Sequence, residues 1–301
     1  MMLTELATFS DRLFVAAAGI YALAMIFHAV EFAAARAKSP ALVGAGAPAE
    51  ESTRTRPERF GRMAVAVTVL GAALHLVSLA TRGLAAERWP MGNMYEFISA
   101  ICLAAVVTWL VVLRRSPSAR PAGPFVLFPV LVLMALAGSV LYVPTGPVVP
   151  PLRSYWMSIH VSTISVSSGL LVVAGVASLL FLLRRSGSLA GVAEKLPAAD
   201  ALDRLAYRIT IIAFPLFTFA IITGAIWAEA AWGRFWGWDP KETVAFVSWV
   251  IYAAYLHARA TAGWRTGRAA WVNVAGFATI VFNLFFINMV VAGLHSYAGV
   301  G

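Results

Sequence analysis

Trp232-Gly-Arg-Phe-Trp-Gly-Trp-Asp-Pro-Lys-Glu242 separates two long apolar runs, 207–228 and 243–259, and the reading of this junction decides the fold. Three tryptophans and a phenylalanine within seven residues, broken by Gly233 and Gly237, make a compact aromatic surface. Such a surface belongs at the edge of hydrocarbon, where tryptophan concentrates. It serves either as an interfacial belt or as the platform for a large, flat, apolar ligand. The last four residues carry a local signal of their own: Asp239 can cap a helix, Pro240 can occupy its first position, and Glu242 can complete a capping box. The junction thus predicts that one helix ends before it and another starts at Asp239.

Working outward, composition settles the solvent. The 301-residue chain is 60% hydrophobic and only 12% charged, whereas about a quarter of the residues of a soluble domain are charged. This is the composition of an integral membrane protein. About 20 helical residues cross about 30 Å of hydrocarbon, and the candidate runs are 13–35, 62–81, 93–113, 124–142, 158–183, 207–228, 243–259 and 270–292. The runs are continuous rather than alternating as barrel strands do, so the expected fold is an all-α polytopic membrane protein of about eight spans. It is read as one membrane domain with an N-terminal half, 1–142, and a second half, 143–301, that carries the aromatic loop.

The +9 formal charge does not point to nucleic acid, because the basic residues lie in short groups between spans rather than on one face. Arg36, Lys38, Arg54, Arg56, Arg59 and Arg62 follow span 1, and Arg114, Arg115 and Arg120 follow span 3. Arg184, Arg185, Lys195, Arg204 and Arg208 follow span 5, and Arg259, Arg265 and Arg268 follow span 7. The opposite loops and ends hold only Arg12, Arg82, Arg88, Arg153, Arg234 and Lys241. The positive-inside rule therefore places both termini and the aromatic junction outside. Met1 to Arg12, with Glu5 and Asp11, leads directly into a span, so no cleavable signal peptide is expected. Ser39–Pro57 and Ser186–Asp203 read as inner linkers, the second with a short amphipathic piece around Ala199–Tyr207. Pro144–Pro151 reads as a stiff, extended outer segment.

Ionisable groups within spans are functional candidates because they are costly there. His160 and His295 fall at the outer ends of spans 5 and 8, level with the tryptophans, and His257 falls at the inner end of span 7. Two imidazoles from separate helices beside an aromatic platform suit axial ligation of a haem iron. Taken singly, each histidine could equally hydrogen-bond at the interface, or, for His257, to the last carbonyls of its helix. His75, mid-span, reads as an interhelical hydrogen-bonding group, and His28 as a partner of Glu31 on the same helix face. Asn93–Glu96 reads as the cap of span 3, with Met91, Tyr95 and Glu96 facing the outer vestibule. Arg234 and Lys241 suit haem propionates or lipid phosphates. The lone Cys102 excludes an internal disulfide or a thiolate metal cage within this chain.

The string Trp232-Gly-x-x-Trp-x-Trp-Asp-Pro-Lys-Glu242, preceded by Trp156-Met-x-Ile-His160 and followed by Gly293-Leu-His295-Ser-Tyr-Ala, resembles the tryptophan-rich WWD haem-handling proteins. Within them it is similar to the CcsA/ResC type of System II cytochrome c biogenesis, most strongly over 152–299. The resemblance implies that His160 and His295 ligate haem b beside Trp232, Trp236, Trp238, Asp239 and Arg234, and that His257 belongs to a second, inner haem site. It implies a separate CcsB/ResB-like membrane subunit that supplies the partner histidine. It also implies delivery of haem outward along spans 5 to 8 to an apocytochrome c bearing Cys-x-x-Cys-His, with thiol-reducing proteins involved indirectly. The chain would then sit in the lipid of the bacterial cytoplasmic (inner) membrane, as part of a holocytochrome c synthase complex. The competing readings are a System I-type haem-handling protein, a b-haem redox subunit, and a haem-free transporter whose tryptophans are belt residues.

Overall fold

A computed structural model describes residues 2–34, 56–261, 264 and 267–295. The helices are α1 (Met2–Ala34), α2 (Arg56–Ala86), α3 (Met94–Arg115), α4 (Gly123–Ser139), α5 (Tyr155–Ser186), the single turn α6 (Ala190–Ala193), α7 (Ala199–Trp232), α8 (Pro240–Ala260) and α9 (Gly267–Phe282). A helix thus covers each of the eight expected runs, and no strand occurs among the described residues. Seven of these helices are long and apolar enough to cross a membrane. The eighth, α8, is 21 residues long, about 31 Å at 1.5 Å per residue. Lys241, Glu242, His257 and Arg259, with its Trp and Tyr residues, keep it more polar than the others.

Several boundaries differ from expectation. α1 starts at Met2, so Asp11 and Arg12 lie within a helix. Arg56 and Pro57 open α2 instead of closing a linker; Arg36, Lys38, the remainder of that linker and Arg265 lie outside the described residues. The segment Ala199–Tyr207 is no separate piece but the first turns of the continuous 34-residue α7. The outer Pro segment is extended only to Val149, because Pro150 starts a 3₁₀ turn that runs to Arg153.

α1 packs on α2, α3 on α4 and α5, α5 on α7 and α9, and α8 on α9. In lipid this association depends on close van der Waals packing. Gly169 of α5 shows how close: a Cβ there would lie 2.6 Å from the Ala104 side chain and 2.8 Å from the Ile101 carbonyl oxygen of α3. His75 is buried and bonds Ser99 Oγ at 2.8 Å, and the Tyr21 hydroxyl lies 3.4 Å from its Nδ1. His28 Nδ1 lies 3.8 Å from Glu31, which also pairs with Arg120 at 3.3 Å. His75 thus bonds between helices, as its mid-span position predicts, and His28 stands beside Glu31 as the spacing predicts, with neither ring nitrogen hydrogen-bonded among the described residues.

Glu96 corrects the expectation that it faces the vestibule. Asn93 caps α3, accepting the Glu96 amide at 2.9 Å, but the Glu96 side chain turns inward and is fully buried. Its carboxylate accepts from Arg82 Nε at 3.0 Å, Arg88 Nη1 at 2.8 Å, Gly92 N at 2.7 Å and Asn93 Nδ2 at 3.1 Å. Arg82 is 1% exposed and reaches on to Asp11 at 3.2 Å. An arginine buried in a membrane bundle has to be neutralised within the protein, and Glu96 meets that need. Tyr95 turns inward as well, its ring beneath the Arg82 guanidinium.

Candidate functional site

The helix start anticipated at Asp239 forms as its sequence dictates. The Asp239 side chain accepts the Lys241 amide at 3.1 Å, and Glu242 reaches back to the Asp239 amide at 3.1 Å, closing the capping box with Pro240 at the first helical position. Upstream, Gly233 takes a left-handed conformation (φ 71°) that ends α7, a conformation that glycine adopts without steric cost. These two local events set the junction as a tight bridge over the top of α7 and α8.

Beneath the bridge lies a largely apolar cavity of about 460 Å³, within the usual range of about 300–1,000 Å³ for ligand sites. His160 and His295 both line it, as do Trp232 and Trp236. The His160 ring lies against α7, where its Nδ1 meets the Ala220 carbonyl oxygen at 2.7 Å. A carbonyl only accepts, so Nδ1 carries the proton and the ring lone pair is on Nε2. Gly224 makes this seat available: a Cβ there would lie 2.7 Å from the imidazole. His295 is held in the same tautomer by a different group, Nδ1 donating to Asp239 Oδ1 at 2.9 Å. The other Asp239 oxygen accepts the Leu294 amide at 2.8 Å. One carboxylate thus starts α8, anchors the segment after α9 and orients His295.

The electrostatics agree. Burial alone would raise the Asp239 carboxyl, but hydrogen bonds from His295, Leu294 and Lys241 hold it at about 2. For His295 burial lowers the pKa, and although Asp239 pulls the other way, the net direction is down. At neutral pH the pair is a carboxylate and a neutral imidazole. A histidine whose Nδ1–H is held by a carbonyl or a carboxylate is oriented as metal-binding histidines are. No three or more His, Cys, Asp or Glu side chains converge as a metal cage among the described residues. Two histidines supply two ligands, which suits a metal that arrives within its own macrocycle.

The structure separates the remaining sequence candidates. Trp238 is 66% exposed with φ 56° and packs edge-on to Trp236 and Phe246, outside the cavity wall. Arg234 pairs with Glu242 at 3.2 Å and lies over Trp232, bracing the bridge from outside. Lys241, by contrast, lines the cavity, with Nζ 2.5 Å from Asn288 Oδ1. His257 is exposed on α8, 17 residues and about 26 Å of helical rise below Pro240. The residue that sequence reasoning missed is Trp227: its indole stacks on His160 (13° between planes, centroids 5.8 Å apart) and meets His295 and Trp232 edge-on at 5.6 and 4.9 Å. Hidden in the apolar run of α7, it is marked only by lying five residues before Trp232.

Comparison with known proteins places these features in one family. The profile described as Cytochrome C assembly protein matches residues 91–295, a span that contains every cavity residue named above. The chain is 37% identical over 263 residues to "Cytochrome c biogenesis protein CcsA" of Synechococcus sp. (strain RCC307), covering 77% of this chain and 84% of the relative. Its similarity to the CcsA of Gloeobacter violaceus (strain ATCC 29082 / PCC 7421) is 32% identity over 282 residues, 73% of this chain and 83% of that one. Among solved structures, "Cytochrome c Heme Lyase CcmF" superposes with a TM-score of 0.65 at 17% identity, covering 93% of this chain. This chain spans 46% of that protein's length, so the likeness speaks to the fold alone.

Proposed function

This chain belongs to the Cytochrome C assembly protein family, and from that premise we propose that it holds haem for attachment to apocytochrome c. The haem here is cargo. One observation carries the reading: His160 and His295 line one cavity in the tautomer that suits each Nε2 to an iron, with their Nδ1 protons held by Ala220 and Asp239. In this reading the two imidazoles are the axial ligands of haem b, Trp227, Trp232 and Trp236 wall the cavity, and Lys241 meets a propionate. The porphyrin supplies the vinyl groups that the thiols of a Cys-x-x-Cys-His segment attack. The protein supplies orientation and exclusion of water.

The charge distribution supports an arrangement in which this cavity opens on the extracytoplasmic face and both termini lie on that side, in a bacterial cytoplasmic membrane. The exposure of His257 on α8 supports a second haem position shared with another membrane subunit of the CcsB/ResB kind, since this chain alone does not enclose that histidine. The test is to purify His160→Ala and His295→Ala variants with their associated subunits. Loss of the outer-site haem spectrum together with loss of cytochrome c maturation is expected; unchanged spectra and unchanged maturation would overturn the assignment.

A further inference from the structure

We propose that the outer cavity exchanges its ligand sideways with the bilayer, through a slot between α4 and α9, rather than along the centre of the bundle. The inference rests on reading the cavity as a haem site. The cavity extends from the tryptophan bridge down to Ser168 and Val172 of α5, with Phe128, Val132 and Leu136 of α4 on one side and Phe277 and Val281 of α9, with Phe285 of the turn that follows it, on the other. Phe128, Val132 and Val281 line the cavity and are nevertheless 62%, 42% and 37% exposed. The wall is therefore open where these side chains stand. From Phe128 to Leu136 the slot is about 12 Å tall at 1.5 Å per residue, within the hydrocarbon depth of α4.

The packing of the helices explains the opening. α4 packs mainly on α1 and α3 and only lightly on α5, whereas α9 packs on α5 and α8, so the two walls do not pack closely on each other. Each also carries an irregular turn at the level of the slot. Pro129 stands inside α4 and removes one backbone hydrogen bond. The turn Asn283–Ile287, at the end of α9, is a π-turn, a feature frequent at functional sites in helices. Neither wall is stiffened by a full ladder of helical hydrogen bonds there.

The central route is closed. Phe217 and Ile280 form the floor of the cavity and belong to a buried cluster with Leu171, Ala213 and Tyr252. That cluster is tight: a Cβ on Gly276 would lie 2.9 Å from the Tyr252 ring. Passage upward from the level of His257 would have to break this plug, whereas the slot needs only side-chain movement. The chemistry of the lining also sets the ligand's orientation. The slot is apolar and Lys241 stands at the outer end of the cavity, so a flat macrocycle enters by its apolar edge and keeps its carboxylates toward Lys241.

The test uses the full chain with its associated subunits in lipid nanodiscs, mixed with vesicles preloaded with haem. Val132→Trp and Val281→Trp narrow the slot without touching His160 or His295, and each is expected to slow the rise of the outer-site spectrum by about tenfold or more, read as a time constant that does not depend on the final occupancy. As an independent measurement, a Val132→Cys chain is exposed to a membrane-soluble maleimide and to a membrane-impermeant one. Cys102 is fully buried, so labelling reports on position 132. Labelling by the soluble reagent only, and protection by haem, are expected. Parental loading rates in both Trp variants, or failure of the membrane-soluble reagent to label position 132, would overturn the slot. If haem loads through the slot variants normally and His160→Ala abolishes the spectrum, the slot alone fails. If the parental chain shows no His160-dependent spectrum, the haem reading fails and takes the slot with it.

Discussion

Replacing Asp239 by Asn removes one charge and changes one atom, and the structure sets out the consequences. Asp239 Oδ1 accepts from His295 Nδ1 at 2.9 Å and from the Lys241 amide at 3.1 Å, while Oδ2 accepts from the Leu294 amide at 2.8 Å. The asparagine keeps its oxygen toward the first two donors, because turning the amide round would set an NH₂ against both. The NH₂ then faces the Leu294 amide, and one partly buried donor loses its acceptor at a cost below the about 1–3 kcal/mol of a fully buried one. Asparagine is as good an N-cap as aspartate, so α8 still starts at residue 240. What changes is the bond to His295, from charge-assisted to neutral, which roughly halves its strength. Loss of such an outer-shell partner weakens metal binding by about 10- to 100-fold.

The assay is haem retention at the outer site of the purified complex, titrated by absorbance and followed as a function of pH. The folded pKa of His295 lies below the ordinary histidine value and that of Asp239 at about 2. The ligating form of His295 is therefore fully present at and above neutrality, and retention is lost as pH falls through its folded pKa. In Asp239→Asn the upward pull of the carboxylate on His295 is gone, so the acid limb moves to lower pH while the affinity at neutral pH drops. A merely structural role for Asp239 would not move the limb in that direction. Unchanged retention and an unchanged pH profile in a folded Asp239→Asn chain would refute the reasoning.

Two further perturbations follow from the geometry. Gly224→Ala places a methyl 2.7 Å from the His160 ring; overpacking of about 1–3 kcal/mol is expected to displace the imidazole from the Ala220 carbonyl. The measurement is outer-site haem content in a chain whose thermal unfolding is little changed, with Gly224→Ser as a companion of similar bulk. Glu96→Gln leaves Arg82, 1% exposed, with Asp11 as its one remaining carboxylate partner and takes the carboxylate away from Arg88 as well. Removing one partner of a buried ion pair costs about 3–5 kcal/mol, so the yield of detergent-extracted monodisperse protein should fall sharply, whereas Glu87→Gln, outside that network, should not lower it.

Legibility divided along physical lines. The start of α8 was readable residue by residue, because a capping box is satisfied within four residues and needs no tertiary partner. The placement of His160 and His295 at one level was readable as well, since membrane depth follows from span boundaries. Trp227 was not, because an indole within an apolar run looks like any other lipid-compatible side chain until α5 and α7 are packed together. Trp238 is the converse case: it shares a motif with Trp236, yet its backbone is left-handed and its side chain is exposed, which the motif alone does not show. Glu96 lies three residues after a capping asparagine and read as facing the vestibule; its burial depends on Arg82 and Arg88, which come to it from another helix and a loop, and on Asp11 of α1, which shares Arg82.

By itself the sequence determined the solvent, the all-helical class and the bridge between α7 and α8, because hydropathy and capping act over short stretches of chain. Only the tertiary structure decided which nitrogen of each histidine carries its proton, which tryptophans wall the cavity, and where that cavity opens. Those properties belong to pairs of helices. The Ala220 carbonyl and the Asp239 carboxylate reach His160 and His295 across 60 and 56 residues of sequence, and contacts at that separation exist only once the helices have packed.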